Sequence, residues 1–94
     1  MSVLITMQTG PVDWNKFKAA IEWARAKQAS GHISTRVYRA EGDPSTVLIL
    51  DEWESHEAFH KYADEVGEEF NKRAGTEGVE WQDSSWVLAD TGGR

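Results

Sequence analysis

His56 and His60 stand four residues apart, with Asp64 a further turn on. In a helix that spacing stacks all three on one side. A histidine pair so placed can hold zinc or copper. The other reading is a solvated polar stripe. It is favoured because the glutamate-bearing metalloprotease motif is absent and no outside ligand can be identified. No metal is therefore expected. His60 also follows Phe59 by ~100° around the helix, which puts it at the margin of the apolar side. A neutral imidazole there can take a proton near neutral pH, or it can simply sit at the boundary with solvent. Tyr62 borders the same stripe. Its hydroxyl can donate to a ligand oxygen, or reach water while the ring packs. His60 and Tyr62 are the candidate catalytic residues.

Four more side chains are candidates for ligand contact: Trp53, Phe59, Arg36 and Asn71. Trp53 ends an apolar run beside a helix start, where it can wall a flat pocket or cap the core. Phe59 belongs to the helix's apolar stripe. Arg36 can hold a carboxylate or enolate, or pair with one of the many surface acids. Asn71 lies a turn beyond Gly67, and its amide can orient oxygen or face water.

The elements that must position these residues follow from periodicity. "VLITM", residues 3 to 7, is a short apolar run typical of a buried strand, and "TGP" is expected to break it. Asp13 suits the N-cap of a helix running to about Ser30, with Gly31 just past its end. Trp14, Phe17, Ala20, Ile21 and Ala24 share one face of it. Trp23 points the other way, which suggests contact with a partner, the tail or a ligand edge. In residues 32 to 39, Ile33, Thr35 and Val37 alternate with Ser34, Arg36 and Tyr38, as in a strand. "EGDPS" is a turn, and "TVLIL", 46 to 50, a second continuous apolar run. Ser55 is the expected cap of a second helix, with Glu57 in its first turn and Phe59, Ala63, Val66 and Phe70 as its stripe. Gly75 and Gly78 bracket a loop. Residues 79 to 89 read as a last strand. Trp81 and Trp86 face opposite sides of it unless "DSS" holds a bulge. Residues 1–89 form one domain and 90–94 a frayed tail.

The predicted order is β-α-β-β-α-β, an α+β ferredoxin-like fold with a four-stranded antiparallel sheet. Its first and third strands are central because they are apolar throughout. Two helices cover one face of such a sheet and nothing remains for the other. Several Val, Leu, Ile and Met side chains would then stay in water, each worth roughly 1.5–3 kcal/mol when buried. An identical sheet from a second copy is the simplest cover, so a homodimer with sheets face to face is expected.

Composition removes other classes. With no cysteine, neither a disulfide framework nor a thiolate zinc site can form, which fits a reducing cytoplasm. No run approaches the ~20 apolar residues of a membrane span, and the start lacks the basic flank of a signal peptide. A net charge of −6 argues against nucleic acid and anionic lipid as partners.

The chain resembles the antibiotic biosynthesis monooxygenase family of the dimeric α+β barrel superfamily. The likeness rests on "VLITMQT", on "GHISTRVYRAEGDPSTVLILDEWESHEAFHKYADEVGEEF" and on the last strand. Its most telling part is the strand–helix join carrying Trp53, Ser55, Ala58 and Phe59. The resemblance implies oxygenation without a cofactor. An electron-rich polycyclic or quinol-type aromatic loses a proton and reduces O2 directly, in a dry pocket between helices and sheet. The haem-degrading branch uses an Asn on the first strand and a Trp and a His on the second helix. Here Thr6 and Gln8, Tyr62, and Asn71 or Lys72 stand at those places, so haem is not expected. A homodimer that binds a small ligand without catalysis is the alternative.

Overall fold

The computed structural model describes residues 4–90 and Gly92. The elements are β1 (Leu4–Pro11), α1 (Trp14–Ala26), β2 (His32–Ala40), β3 (Asp43–Trp53), α2 (His56–Ala74) and β4 (Gln82–Val87). The strands form one antiparallel sheet in the order β2-β3-β1-β4, so the two apolar strands are central as expected. Val3, expected in the first strand, and residues 91, 93 and 94 of the expected tail lie outside the described residues. Among those described, no helix is long and apolar enough to cross a membrane.

Both helix starts are set by their caps. The Asp13 carboxylate accepts from Lys16 N at 3.3 Å, and Ser55 Oγ accepts from Ala58 N at 3.1 Å. The extended backbone of Ser55 ends β3 as it caps α2, so strand passes to helix without a longer loop. Gly75 closes α2 in the left-handed conformation, φ +70°.

Four boundaries differ from expectation. β1 runs through "TGP" to Pro11, where a missing N–H at a strand end costs little. α1 stops at Ala26 rather than near Ser30. Lys27 and Gln28 donate back to Ala24 and Arg25, and Gln28 turns the chain at φ +48°. Gly31 is needed further on: it has φ +81°, and a Cβ there would stand 2.5 Å from Ala58 Cβ. β3 begins at Asp43, inside the expected turn. The Asp43 carboxylate accepts from Ser45 Oγ, Thr46 Oγ1 and Ser45 N, which hold its pKa below the ordinary value. β4 is shorter than expected and pairs with β1 in unbroken register, so "DSS" carries no bulge.

The bulge lies in β2 instead, between His32 and Ser34. It moves Ile33 out of phase. His32, not Ile33, joins Thr35 and Val37 on the helix side, opposite Trp53, Asp51 and Ile49. The core on that side is Phe17, Ala20, Ile21, Val47, Ile49 and Ala74, with Phe70 and Trp81 against it. The Phe17 and Phe70 rings meet edge-on at 5.9 Å. Trp81 covers Gly10, where a Cβ would meet its ring at 2.8 Å. Trp86 lies on the opposite face, paired with Ile5.

A candidate active site between the second helix and the sheet

Under α2 the packing is incomplete. A cavity of about 280 Å³ lies between α2, the C-terminal half of α1 and the sheet. Its walls are mostly apolar, with Ile21, Ile49, Phe70 and Trp81 among them. This explains why Phe59 and Phe70 in the α2 stripe, and Tyr62 beside it, are only half-buried.

Tyr62, Trp53, Phe59 and Asn71 all line this cavity. Trp53 is 1% exposed, and its indole N–H donates to Thr6 Oγ1 at 3.0 Å, which fixes the ring as a wall. Tyr62 and Phe59 lie 5.1 and 5.5 Å from it. Burial, and then the charge of Asp51, push the Tyr62 hydroxyl up to about 12. Tyr62 therefore stays protonated at neutral pH and is a donor. Asn71 accepts from Thr76 Oγ1 at 2.8 Å, which orients its amide and leaves its N–H groups without a protein acceptor among the described residues.

His60 and Arg36 are placed elsewhere. His60 is exposed, with its ring 4.3 Å from that of His56, and it lines no part of the cavity. Asp64 is exposed as well, and among the described residues no three His, Cys, Asp or Glu side chains come together to hold a metal. Arg36 pairs in register with Leu50, on the sheet face away from the helices. Trp23 is half-buried rather than exposed, with Lys27 Nζ 4.6 Å and Arg73 Cζ 4.5 Å from its ring centre.

The cavity's histidine is His32, which sequence reasoning did not single out. Its Nε2 lies 3.0 Å from Asp51 Oδ1 and 2.8 Å from Thr35 Oγ1. Thr35 in turn donates to Asp51. A carboxylate only accepts, and the threonine hydroxyl has one proton, which it gives to Asp51. The oxygen therefore accepts from His32, so Nε2 carries the ring proton. In the neutral form of the ring the lone pair is therefore on Nδ1, which makes no hydrogen bond to a described residue. The imidazole packs against Trp53 at 4.6 Å and Tyr62 at 6.1 Å. The result is an oriented proton acceptor and a neutral phenol donor within one aromatic wall.

One half of this pair had a signal in the sequence. Val47, Ile49, Asp51 and Trp53 alternate onto one face, so Asp51 is a carboxylate on the core side. The His32 half had none, because the bulge reverses its phase.

The family model for antibiotic biosynthesis monooxygenases matches residues 2–70, from β1 through most of α2. No curated protein matches the sequence significantly. Solved structures are similar over almost the whole chain. SnoaB, a cofactor-independent oxygenase from Streptomyces nogalater, is 14% identical with a TM-score of 0.73, over 96% of this chain and 95% of that one. A conserved protein from Methanosarcina mazei Go1 is 16% identical with a TM-score of 0.73, over 92% of each chain. A candidate antibiotic biosynthesis monooxygenase from Deinococcus radiodurans is 15% identical with a TM-score of 0.74, over 97% of each. At these identities the likeness is one of fold.

Proposed function

The chain belongs to the antibiotic biosynthesis monooxygenase family, and from that premise we propose that it oxygenates a small quinol-type aromatic without a cofactor. The observation that carries this reading is the His32–Asp51 pair opening on an apolar cavity beside a neutral Tyr62. At about 280 Å³ the cavity sits at the lower edge of the ~300–1,000 Å³ of ordinary ligand sites. That size favours a quinol-like ring system over a large polycycle.

His32 Nδ1 takes the phenolic proton, and Asp51 stands beside the positive charge that results. The electron-rich enolate then bonds O2 at a hydrogen-bearing carbon ortho or para to its oxygen, the ortho one in a 1,4-diol. The outer peroxide oxygen is protonated. Loss of the proton on that carbon and cleavage of the O–O bond release water and leave a second carbonyl. One oxygen atom enters the ring and the other leaves as water. The substrate supplies all four electrons, so no external reductant is needed. Tyr62 and Asn71 are the donors to the enolate and peroxide oxygens, and the apolar walls keep bulk water from the carbanion.

We also propose that the working unit is a homodimer. The sheet face away from the helices carries Ile5, Met7, Leu48, Leu50, Tyr38 and Trp86, with Arg36 among them.

The test is oxygen uptake by the purified, flavin- and metal-free protein with 1,4-dihydroxynaphthalene. One labelled oxygen atom from ¹⁸O2 should appear in the hydroxyquinone product. His32→Ala should lower kcat/KM by about 100-fold or more, and Asp51→Asn should lower it in the same direction. Binding of the aromatic, seen as quenched Trp emission, with no oxygen uptake above the spontaneous rate would replace this reading with that of a ligand-binding protein.

A further inference from the structure

The cavity reaches from Thr35 on one edge strand to Asp83 on the other. At the strand spacing of ~4.8 Å this is a slot roughly 14 Å long. Its charged groups are not spread evenly. Asp83 stands at the β4 end, where its Oδ1 accepts from Gln8 Nε2 at 3.4 Å. Asp51 is engaged by His32 and Thr35. Arg25, in the last turn of α1, lines the β2 end.

Arg25 is held by its scaffold rather than by an acid. Its Nη2 donates to the Thr35 carbonyl at 3.0 Å. Among the described residues the ion pairs are His32–Asp51, Lys72–Glu68 and Arg73–Glu69, none involving Arg25. This is notable in a chain with 16 acidic residues against 10 basic ones. Arg39 and Arg73 lie over the rings of Trp14 and Trp23, and Arg36 is on the far face of the sheet. A guanidinium has five N–H donors in a planar fork. One bond to a carbonyl fixes its plane and leaves donors for a bidentate carboxylate.

Thr35 links this cation to the base. Its carbonyl holds Arg25 and its hydroxyl holds His32 and Asp51. An anionic group on Arg25 and a phenolic hydroxyl on His32 would therefore both be placed around Thr35. We propose that Arg25 makes the cavity selective for hydroxyarenes bearing a carboxylate next to the reacting hydroxyl. The inference rests on the proposed reading of the cavity as an aromatic-binding site. It adds the substrate's charge, its substitution pattern and the direction in which it lies: carboxylate toward β2, bare ring toward Trp81.

Calorimetric titration of the full chain with 1-hydroxy-2-naphthoate and with 1-naphthol separates the two claims, because these ligands differ only by the carboxylate and neither must turn over. The wild type should bind the carboxylate about tenfold or more tightly at low salt. Arg25→Met should collapse that ratio to near one, and Arg25→Lys should keep part of it. A wild type that binds 1-naphthol as tightly as the carboxylate overturns the role of Arg25, whether or not the variant folds. An unchanged ratio in Arg25→Met overturns it too. Failure of both naphthols to bind overturns the reading of the cavity itself.

Discussion

Tyr62 shows how burial chooses a residue's role. Its hydroxyl is pushed up to about 12 by desolvation first and by Asp51 second, so at neutral pH it donates and does not act as a base. The sign of the pH effect follows. A phenol whose folded pKa lies above its unfolded value of about 10 leaves stability untouched below that pH. Stability then falls as pH rises from there through about 12, because the unfolded chain gives up the proton first. The urea midpoint should therefore decline over this window in the wild type and decline less in Tyr62→Phe. The same variant should lose roughly 10- to 100-fold in kcat with little change in KM, since the missing donor acts on charge that develops during reaction. An unchanged kcat would remove Tyr62 from the mechanism. The residue was legible from its place beside an apolar stripe. His60, at the other margin of the same stripe, lies on the solvent side of the helix. A helical projection ranks positions by angle, but it cannot tell which margin faces a void.

The elements were legible where a local chemical signal set them. The Asp13 and Ser55 caps act over three residues, and each is where its side chain predicts. The end of α1 and the bulge in β2 answer to tertiary contacts, which have no local signature. Gly31 joins the two. Its carbonyl accepts from Glu54 N at 2.8 Å, and the missing Cβ lets the chain pass Ala58 on α2. That passage sets where β2 enters the sheet, and so how His32 meets Asp51. Gly31→Ala should cost roughly 2 kcal/mol or more, from the left-handed backbone and the clash together. Ala58→Gly alone, in the first turn of α2, should cost less than the ~1 kcal/mol of an interior helix glycine. In the double variant the clash is gone and the backbone strain remains, so the two costs should fall short of additivity by about 1 kcal/mol. Urea denaturation of the four proteins measures this. Full additivity would mean that the close approach is not what the glycine serves.

At the scale of the whole molecule the question is what covers the second face of the sheet. The helix face holds the core, while Leu48 and Leu50 in central β3 point away from it and are only half-buried. Tyr38 and Trp86 on that face are 48% and 58% exposed. The continuous apolar runs of β1 and β3 made this face legible in the sequence, whereas the cavity under α2 was implied only by the family resemblance, because periodicity says which side a residue faces and not how well that side fills. If a second copy supplies the cover, folding and association are one equilibrium, and mass action makes stability depend on protein concentration. The urea midpoint should then rise as the chain is concentrated, and light scattering at micromolar concentration should give twice the 10.6 kDa of one chain. Trp86 offers a local readout. Its share of the emission, taken as the difference from Trp86→Phe, should be shielded from acrylamide when concentrated and become accessible on dilution. Leu50→Lys places a charge in the middle of the face and should shift the protein toward the monomer and lower its stability, since a buried unpaired ammonium is costly. A monomer whose midpoint does not depend on concentration would show that the exposed face needs no twin, and the dimer would have to be given up.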